Sequence, residues 1–296
     1  MNPDMGTTMY DSQRERSELR FAFGKNWSNY LATLSPEAIE AARAGLVGLL
    51  KTPNLDGARF LDIGCGSGLS SLVARQQGAT VTSFDYDRDS VRCTEFLRER
   101  YAPLDSAWSV CQGSVLDMSF VEKLGMFDFV YSWGVLHHTG KMWEAIGNAA
   151  SRVRTGGRFI IAIYNDQGHW SRIWLAIKRI YNRLPGPLRI PFVAAVMLPR
   201  ELRSLAFSVL TLRPGRYLRS WTNYRRFRGM SKWHDHVDWV GGLPFEVAKP
   251  EEIIFFMRDR GFTLVGMTTC AGEIGCNEFV FDRVAEPVDV PARKPG

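Results

Sequence analysis

Residues 59–68 read Arg-Phe-Leu-Asp-Ile-Gly-Cys-Gly-Ser-Gly. The first five residues are mostly apolar, as in a short buried strand, and the other five contain three glycines at alternate positions. A helical pattern follows over residues 69–77 and ends at Gly78. Glycines between a strand and a helix let a ligand approach the backbone, where the helix N-terminus favours an anionic group. This stretch therefore predicts the first strand–loop–helix unit of an α/β fold, with a ligand-binding loop.

Segments with the character of strands recur along the chain and alternate with helical patterns. Five of them predict a parallel, doubly wound sheet. Two more near the C-terminus are too close together for a parallel crossover, so they predict an antiparallel hairpin that brings the sheet to seven strands. The predicted strands are residues 59–63, 79–84, 109–111, 127–133, 158–164, 262–269 and 278–281.

A long basic segment interrupts this alternation and sets the expected domain boundaries. We expect its prolines at 185, 187, 191, 199 and 214 to divide it into short helices. The α/β pattern resumes at Pro250 with a proline-led helix start. We therefore divide the chain into an N-terminal arm and helix (1–55), a Rossmann-like core (56–165), a basic helical lid insertion (166–248), the completion of the sheet (249–284) and a tail (285–296).

Positive charge is concentrated in the insertion. Of the 37 Lys and Arg residues, 14 lie between His169 and Lys232, where Glu201 is the only acid. This segment carries +13, whereas the remainder, with 23 basic and 30 acidic residues, carries −7. Apolar side chains recur at helical spacing in residues 170–181, beside the expected charged face of Arg172, Lys178, Arg179 and Arg183. A basic amphipathic helix is typical of an anionic surface, so we expect peripheral contact with an anionic membrane; a solvated charged face is the alternative.

The composition excludes several classes of protein. The 296 residues are 45% hydrophobic and 23% charged, which rules out global disorder. No apolar run reaches the roughly 18 residues that a membrane-spanning helix needs. The five cysteines are scattered without a CxxC pair, and the N-terminal residues lack the apolar region of a secretory signal. We expect a cytoplasmic protein that associates peripherally with the membrane.

The spacing of the glycines separates this loop from the dinucleotide-binding fingerprint. Gly68 comes one residue early, which gives G-x-G-x-G instead of G-x-G-x-x-G. Asp85 follows at the end of the second predicted strand, 19 residues after Gly66. At that position a carboxylate can accept hydrogen bonds from both hydroxyls of a ribose. The loop and Asp85 therefore predict a ligand that contains a nucleoside.

These features, together with residues 127–138, resemble the class I S-adenosylmethionine-dependent methyltransferases. The resemblance covers residues 56–165 and 250–283. Within this class, the sequence is most similar to small-molecule enzymes related to ubiquinone-type O-methyltransferases. It implies S-adenosylmethionine as the cofactor and a small-molecule acceptor that receives the methyl group on a hydroxyl oxygen. The basic insertion points to an amphipathic or phosphate-bearing acceptor.

The resemblance also implies cofactor contacts at named positions. Asp62 begins the glycine motif, and Asp85 would meet the ribose. Ser114 stands where such enzymes often have an aspartate, so Asp117 is an alternative contact for the adenine amine. The other implied contacts are Gly64, Gly66, Gly68, Ser132 and Trp133 for the methionine part, Tyr86, Ser114 and Val115 for the adenine, and Lys25 or Trp27 for the carboxylate.

Methyl transfer from a sulfonium needs alignment and exclusion of water, and a general base helps when the acceptor is a hydroxyl. His137 and His138 follow the fourth strand, at the sheet edge where such folds bind ligands; helix capping or packing beneath the cofactor is their alternative role. His234 and Asp235 lie in a stretch rich in aromatic residues and are expected to line the acceptor pocket. His234 and His236 have no third ligand at a recognisable spacing, so no metal site is predicted.

Further candidates and two other functions stay open at this stage. Tyr164 and Asn165 end the fifth strand on the expected acceptor side, while Asn277 and Glu278 either join them or form a turn. RNA methylation would use the basic insertion to bind phosphates, but no RNA-binding module is recognisable and nucleic acid is not the expected partner. A non-catalytic protein that binds adenosylmethionine or a partner would keep the glycine loop without turnover.

Overall fold

The structure is a computed structural model that describes residues 34–52, 54–222, 224, 232–271 and 275–284. Seven strands form one sheet in the order β3-β2-β1-β4-β5-β7-β6. The first five strands are parallel, and β7 runs antiparallel to both β5 and β6. The predicted architecture is therefore confirmed. The strands are β1 (Arg59–Ile63), β2 (Thr80–Asp85), β3 (Trp108–Gln112), β4 (Phe127–Trp133), β5 (Val153–Tyr164), β6 (Phe262–Thr268) and β7 (Cys276–Arg283).

Helices connect the strands, and four further helices lie in the described part of the insertion. Those between the strands pack on the sheet with apolar faces, as the doubly wound arrangement requires. Across the described ranges the α-helices are α1 (Pro36–Leu50), α2 (Leu69–Gln76), α3 (Arg88–Tyr101), α4 (Met118–Lys123), α5 (Met142–Ser151), α6 (His169–Arg183), α7 (Gly186–Leu210), α8 (Gly215–Thr222), α9 (Lys232–Gly241) and α10 (Pro250–Arg258). A 3₁₀-helix, Leu136–His138, follows β4.

The register of the parallel strands positions the candidate site. Ile63 pairs with Phe84 of β2, and Asp62 pairs with Tyr131 of β4. The loops that follow β1, β2 and β4 consequently leave the sheet at its carboxyl edge, where doubly wound folds bind ligands. Four of the five residues of β1 are buried, because helices cover both faces of a parallel sheet.

The described residues fall into two compact units. One contains the sheet and comprises residues 42–167 and 246–284. The other, the insertion unit, comprises residues 168–245 together with 34–41. The insertion unit has a small core of its own, built from Tyr181, Val193, Met197 and Val240.

One expectation for the insertion was wrong. Pro191 and Pro199 do not divide the chain, because both lie inside the 25-residue helix α7. A proline within a helix removes one backbone hydrogen bond and strains the preceding turn, at a cost of about 3 kcal/mol. The packing of Val193 and Met197 into the core of the insertion unit offsets this cost. No helix among the residues described is long and apolar enough to cross a membrane.

Candidate functional site

The glycine loop between β1 and α2 depends on left-handed backbone conformations. Gly64, Gly66 and Gly68 have φ values of +75°, +55° and +80°, which favour glycine. A Cβ atom on Gly64 would lie 2.4 Å from Val135 Cγ1, and one on Gly68 would lie 2.9 Å from the Cα of Thr94. The protein's own packing therefore already requires glycine at two of the three positions.

The Asp85 carboxylate at the end of β2 holds this loop in place. Its Oδ2 accepts the Gly66 N–H at 3.0 Å, and its Oδ1 accepts the Asp87 N–H at 2.8 Å. A carboxylate offers about four lone-pair positions, so one aspartate side chain can accept several hydrogen bonds at once. Because the side chain is only half-buried, it can hold the loop and accept hydroxyl donors of a ligand at the same time.

Asp62, at the start of the motif, is buried in the protein interior. Ser71 Oγ donates to Asp62 Oδ2 and lies 2.7 Å from Ser83 Oγ, which accepts the Trp108 Nε1–H at 2.9 Å. The hydrogen bonds are consistent with one direction of donation: Trp108 donates to Ser83, Ser83 donates to Ser71, and Ser71 donates to Asp62. Burial raises the pKa of Asp62 to about 7, although the Ser71 hydrogen bond opposes the increase. We therefore interpret Asp62 as a structural residue that stabilises the glycine loop through buried hydrogen bonds.

Two further candidates end strand β4. Ser132 is completely buried and donates from Oγ to the carbonyl of Ile63 at 3.0 Å, so it links the ends of β4 and β1. Trp133 is exposed, and its Nε1–H donates to Glu278 at 2.8 Å. Glu278 and Asn277 both lie within β7, so the turn considered for them is wrong.

The candidates for an adenine contact differ in exposure. Tyr86 directly follows Asp85 and is exposed, which excludes the role of a core aromatic. Val115 is buried, and Ser114 Oγ accepts the Leu116 N–H at 3.2 Å. The exposed Tyr86 ring is thus an apolar surface directly beside Asp85.

Asp117, the alternative adenine contact, caps helix α4. Its Oδ1 accepts hydrogen bonds from the Ser119 hydroxyl at 2.8 Å and from the Phe120 N–H at 3.2 Å. These hydrogen bonds lower the pKa of Asp117. N-capping accounts for an aspartate at this position without a ligand.

The two adjacent histidines have different environments. His137 is completely buried, its ring packs on Tyr164 with centroids 3.8 Å apart, and its Nδ1 accepts the Tyr164 N–H at 3.4 Å. The lone pair of Nδ1 is therefore engaged, which favours the packing role considered for His137 over the role of a general base. His138 is only partly buried and meets the Tyr164 ring edge to face, with centroids 5.3 Å apart.

Glu246 supports these histidines, although no sequence pattern singles it out. Its backbone N–H donates to the His137 carbonyl at 3.1 Å, and its carboxylate accepts the Met142 N–H at the start of α5. Burial raises the pKa of Glu246. More than 100 residues separate Glu246 from His137, and no local spacing signals such a contact.

In the insertion unit, Asp235 Oδ2 accepts the Tyr224 hydroxyl at 2.7 Å, and His234 lies half-buried on the same helix, α9. The neighbouring His236 is buried and lies 3.1 Å from Glu201 Oε1. Glu201 Oε2 also accepts from Lys232 Nζ at 2.9 Å and from Trp221 Nε1 at 3.1 Å, which ties α7 to α8 and α9.

Lys178 was expected on the charged face of α6, but it is completely buried. Its Nζ donates to the carbonyl of Trp239 and lies 4.9 Å and 4.7 Å from the ring centroids of Trp239 and Phe245. Burial lowers the pKa of Lys178 to about 7. The C-terminal end of α9 and the two aromatic faces compensate the buried ammonium, a contact that helical periodicity does not reveal.

The candidates Lys25 and Trp27 lie outside the described residues. Tyr164 and Asn165 end β5 as expected, and Asn165 Oδ1 accepts from the side chain of the buried Asn277 at 2.9 Å. Asn277 Oδ1 in turn accepts the Cys270 N–H at 3.1 Å. These amides therefore brace the ends of β5, β6 and β7.

Comparisons with known proteins give relatives that are consistent with the observed fold. A family model described as a methyltransferase domain matches residues 35–222. The ubiquinone biosynthesis O-methyltransferase of Xanthomonas campestris pv. campestris (strain B100) is 29% identical over 173 residues, which is 56% of this chain and 67% of that protein. The enzyme of the same name from Vibrio parahaemolyticus is 27% identical over 117 residues, 40% of this chain and 48% of that protein. The alignments thus span about half to two thirds of these relatives.

A solved structure shares the arrangement of strands and helices. It is magnesium protoporphyrin IX methyltransferase from Synechocystis PCC 6803 with bound SAH, with a TM-score of 0.54 and 15% identity, covering 92% of this chain and 99% of that one. At this identity the likeness concerns the fold. The family model, in contrast, matches well over half of the chain. The chain therefore belongs to the methyltransferase-domain family, among the class I S-adenosylmethionine-dependent methyltransferases whose fold it has.

Proposed function

We propose that this protein transfers a methyl group from S-adenosylmethionine to a hydroxyl oxygen of a small-molecule acceptor that is amphipathic or carries a phosphate. The observation that carries the proposal is the contact between the Asp85 carboxylate and the Gly66 N–H, at 3.0 Å. This contact joins the glycine loop to the carboxylate expected to bind a ribose. The names of the two O-methyltransferase relatives support oxygen as the receiving atom.

The side chains at the carboxyl edge of the sheet fit this cofactor chemically. The Asp85 carboxylate is the kind of acceptor that the two hydroxyls of a ribose need, and the exposed ring of Tyr86 beside it offers an apolar face to a base. The exposed Trp133 lies at the end of β4, which neighbours β1 in the sheet. When bound, S-adenosylmethionine supplies a methyl group activated by a sulfonium.

The protein's own contribution is alignment, exclusion of water and removal of one proton. We assign the removal of the acceptor's hydroxyl proton to an imidazole nitrogen of His138, because histidine titrates near neutral pH. His137 holds the 3₁₀-helix against β5 through Tyr164, and Glu246 fixes the same helix from the other direction. These two residues orient His138 and are positioning residues.

Calorimetry with S-adenosylmethionine tests the cofactor assignment. Asp85→Ala removes a charged acceptor, so the dissociation constant should rise by about 5-fold to 150-fold, equivalent to about 1–3 kcal/mol. Gly66→Val should abolish binding, because it adds a bulky side chain to the loop. Asp117→Ala is the control: loss of the helix cap should lower the melting temperature and leave the affinity for S-adenosylmethionine unchanged.

An unchanged dissociation constant in folded Asp85→Ala would contradict the ribose assignment. If Asp117→Ala weakens binding while the protein stays folded, Asp117 contacts the adenine. Mass spectrometry of reactions with hydroxyl, amine and thiol acceptors then separates an enzyme from a protein that only binds the cofactor. A wild-type protein that binds the cofactor tightly but methylates none of these acceptors would favour the non-catalytic alternative.

A further inference from the structure

Helix α7 carries an apolar stripe that is separate from its buried face. Leu198, Leu202, Leu205 and Val209 follow the spacing i, i+4, i+7, i+11, which places them on one side of a helix, and all four are exposed. The buried face of α7 is formed by other residues, Val193, Met197 and Ser208. The helix therefore has one face for its own core and a second apolar face at the surface.

More exposed leucines lie at the C-terminal end of α7, in the turn that follows and on α8. Leu210 and Leu212 are 82% and 89% exposed, and Leu218 on α8 is exposed as well. Leucines so close together and so exposed are unusual on a soluble surface, and patches of this kind mark sites of interaction. We call residues 198–219 the α7–α8 hairpin.

The insertion unit also carries many exposed arginines. In the described part of the insertion, none of the exposed arginines forms an ion pair with a carboxylate. Glu201, the only acid between His169 and Lys232, is already bonded to Lys232 and His236. The exposed arginines are Arg172, Arg179, Arg183, Arg200, Arg203, Arg213, Arg216 and Arg219.

The combination of leucines and uncompensated arginines decides between possible partners. RNA phosphates would pair with the arginines but leave the leucines in water. A second copy of the chain that docked through the same hairpin would bring a surface of the same charge, and like charges repel. An anionic lipid bilayer satisfies both groups, since its acyl boundary takes up leucines and its phosphates attract arginines.

We propose that the α7–α8 hairpin docks on the surface of an anionic lipid bilayer. The leucines at the turn enter the boundary between headgroups and acyl chains, and Arg213, Arg216 and Arg219 contact lipid phosphates. This docking does not depend on methyl transfer, so the two proposals fail separately.

Cosedimentation of the full chain with vesicles tests the docking. The vesicles are phosphatidylcholine alone, or phosphatidylcholine and phosphatidylglycerol in a ratio of roughly two to one. Binding should be clearly stronger with phosphatidylglycerol. It should fall steeply between roughly 50 mM and roughly 500 mM salt, because the Debye length shortens.

The variants contrast two leucines in matched conformations. Leu212 and Leu104 are both fully or nearly fully exposed and have positive φ values of 54° and 61°, a conformation that asparagine tolerates. Leu212→Asn combined with Leu210→Asn should weaken vesicle binding about tenfold or more, whereas Leu104→Asn, which lies in the sheet unit, should leave it unchanged. Arg213→Glu with Arg216→Glu should abolish binding, and Arg100→Glu is the matched charge control.

Three results would overturn the docking. The first is protein that stays in the supernatant with phosphatidylglycerol vesicles at low salt. The second is an equal effect of the Leu212 and Leu104 substitutions. The third is binding to the vesicles that is lost with the arginine variant but survives the double leucine variant, which would show adsorption by charge alone, without insertion of the leucines. Asp85→Ala should bind vesicles as the wild type does, which keeps this test independent of the cofactor.

Discussion

At the scale of single residues, the candidate site was predictable where chemistry follows the local sequence. Gly64, Gly68 and Asp85 were predictable because a strand, a glycine turn and a carboxylate at this spacing are typical of a site that binds a nucleoside. The surroundings of Asp62 and His137 were not predictable, because their partners come from other strands and helices. Sequence spacing identifies the residue, but burial decides whether its side chain meets a ligand or the protein interior.

The raised pKa of Asp62 leads to a prediction about stability and pH. Because the folded pKa of about 7 exceeds the unfolded value of 3.8, the folded protein binds more protons between these values. The free energy of unfolding should therefore fall as the pH rises through this window. Asp62→Asn keeps the hydrogen bond from Ser71 but cannot ionise, so its advantage over the wild type should grow by about 2–3 kcal/mol between about pH 5 and about pH 7.

Urea unfolding of both proteins at the two pH values measures this difference directly. Changes in other titrating groups cancel, because they are common to the two proteins. A wild type and an Asp62→Asn variant with parallel pH dependence would show that Asp62 ionises normally in the folded protein.

At the scale of secondary-structure elements, the sheet was predictable and the insertion was not. Strands β1, β2, β4 and β5 are buried on both faces, so an apolar run is enough to mark them. Strand β5 nevertheless starts at Val153, five residues before the predicted start. Its early part contains Gly156 and Gly157, which sequence rules assign to a turn. Helix α4, with only six residues, is too short to show a period.

The insertion also shows how tertiary contacts override local rules. Pro191 and Pro199 are strong signals for helix ends, yet α7 continues through both. Lys178 belongs to a basic run, yet it reaches a carbonyl at the end of α9. Contacts between distant elements stabilise the continuous helix α7 and the buried Lys178. The helical repeat of apolar residues along the sequence does not reveal such contacts.

Glu201 makes one of these contacts testable. Burial opposes its ionisation, but the hydrogen bond and charge of Lys232 outweigh burial, so the pKa of Glu201 is lowered. Glu201→Ala would leave Lys232 and His236 without this acceptor and should destabilise the protein by about 3 kcal/mol. The thermal midpoint should fall by roughly 5–10 °C.

Differential scanning fluorimetry with two companion variants checks the origin of the loss. Glu201→Gln still accepts from Lys232 and Trp221 and should lose less stability than Glu201→Ala. Glu99→Ala, at an exposed position on α3, should leave the midpoint unchanged. If Glu201→Ala has the same thermal midpoint as the wild type, the contacts of Glu201 with Lys232 and His236 make no net contribution to the stability of the insertion unit.

At the scale of the whole molecule, candidate functions divide along the chain. The described candidates for the cofactor, from Asp62 to Trp133, all belong to the unit that contains the sheet. His234, Asp235 and the α7–α8 hairpin belong to the insertion unit. We therefore expect substitutions in the two units to affect different kinetic constants.

Asp235 and His234 provide the test of this division. If the insertion unit supplies side chains for the acceptor, His234→Ala and Asp235→Ala should lower turnover while the affinity for S-adenosylmethionine stays within about threefold of the wild type. Asp235 also accepts the Tyr224 hydroxyl at 2.7 Å. A loss of turnover in Asp235→Ala could therefore also arise from the loss of this structural hydrogen bond. Tyr224→Phe separates the two, because it breaks this hydrogen bond and keeps the carboxylate. Near-normal turnover in Tyr224→Phe would assign the effect to Asp235 itself. A loss as large as that of Asp235→Ala would show that the pair only holds the helix, and the acceptor residues would have to be sought elsewhere.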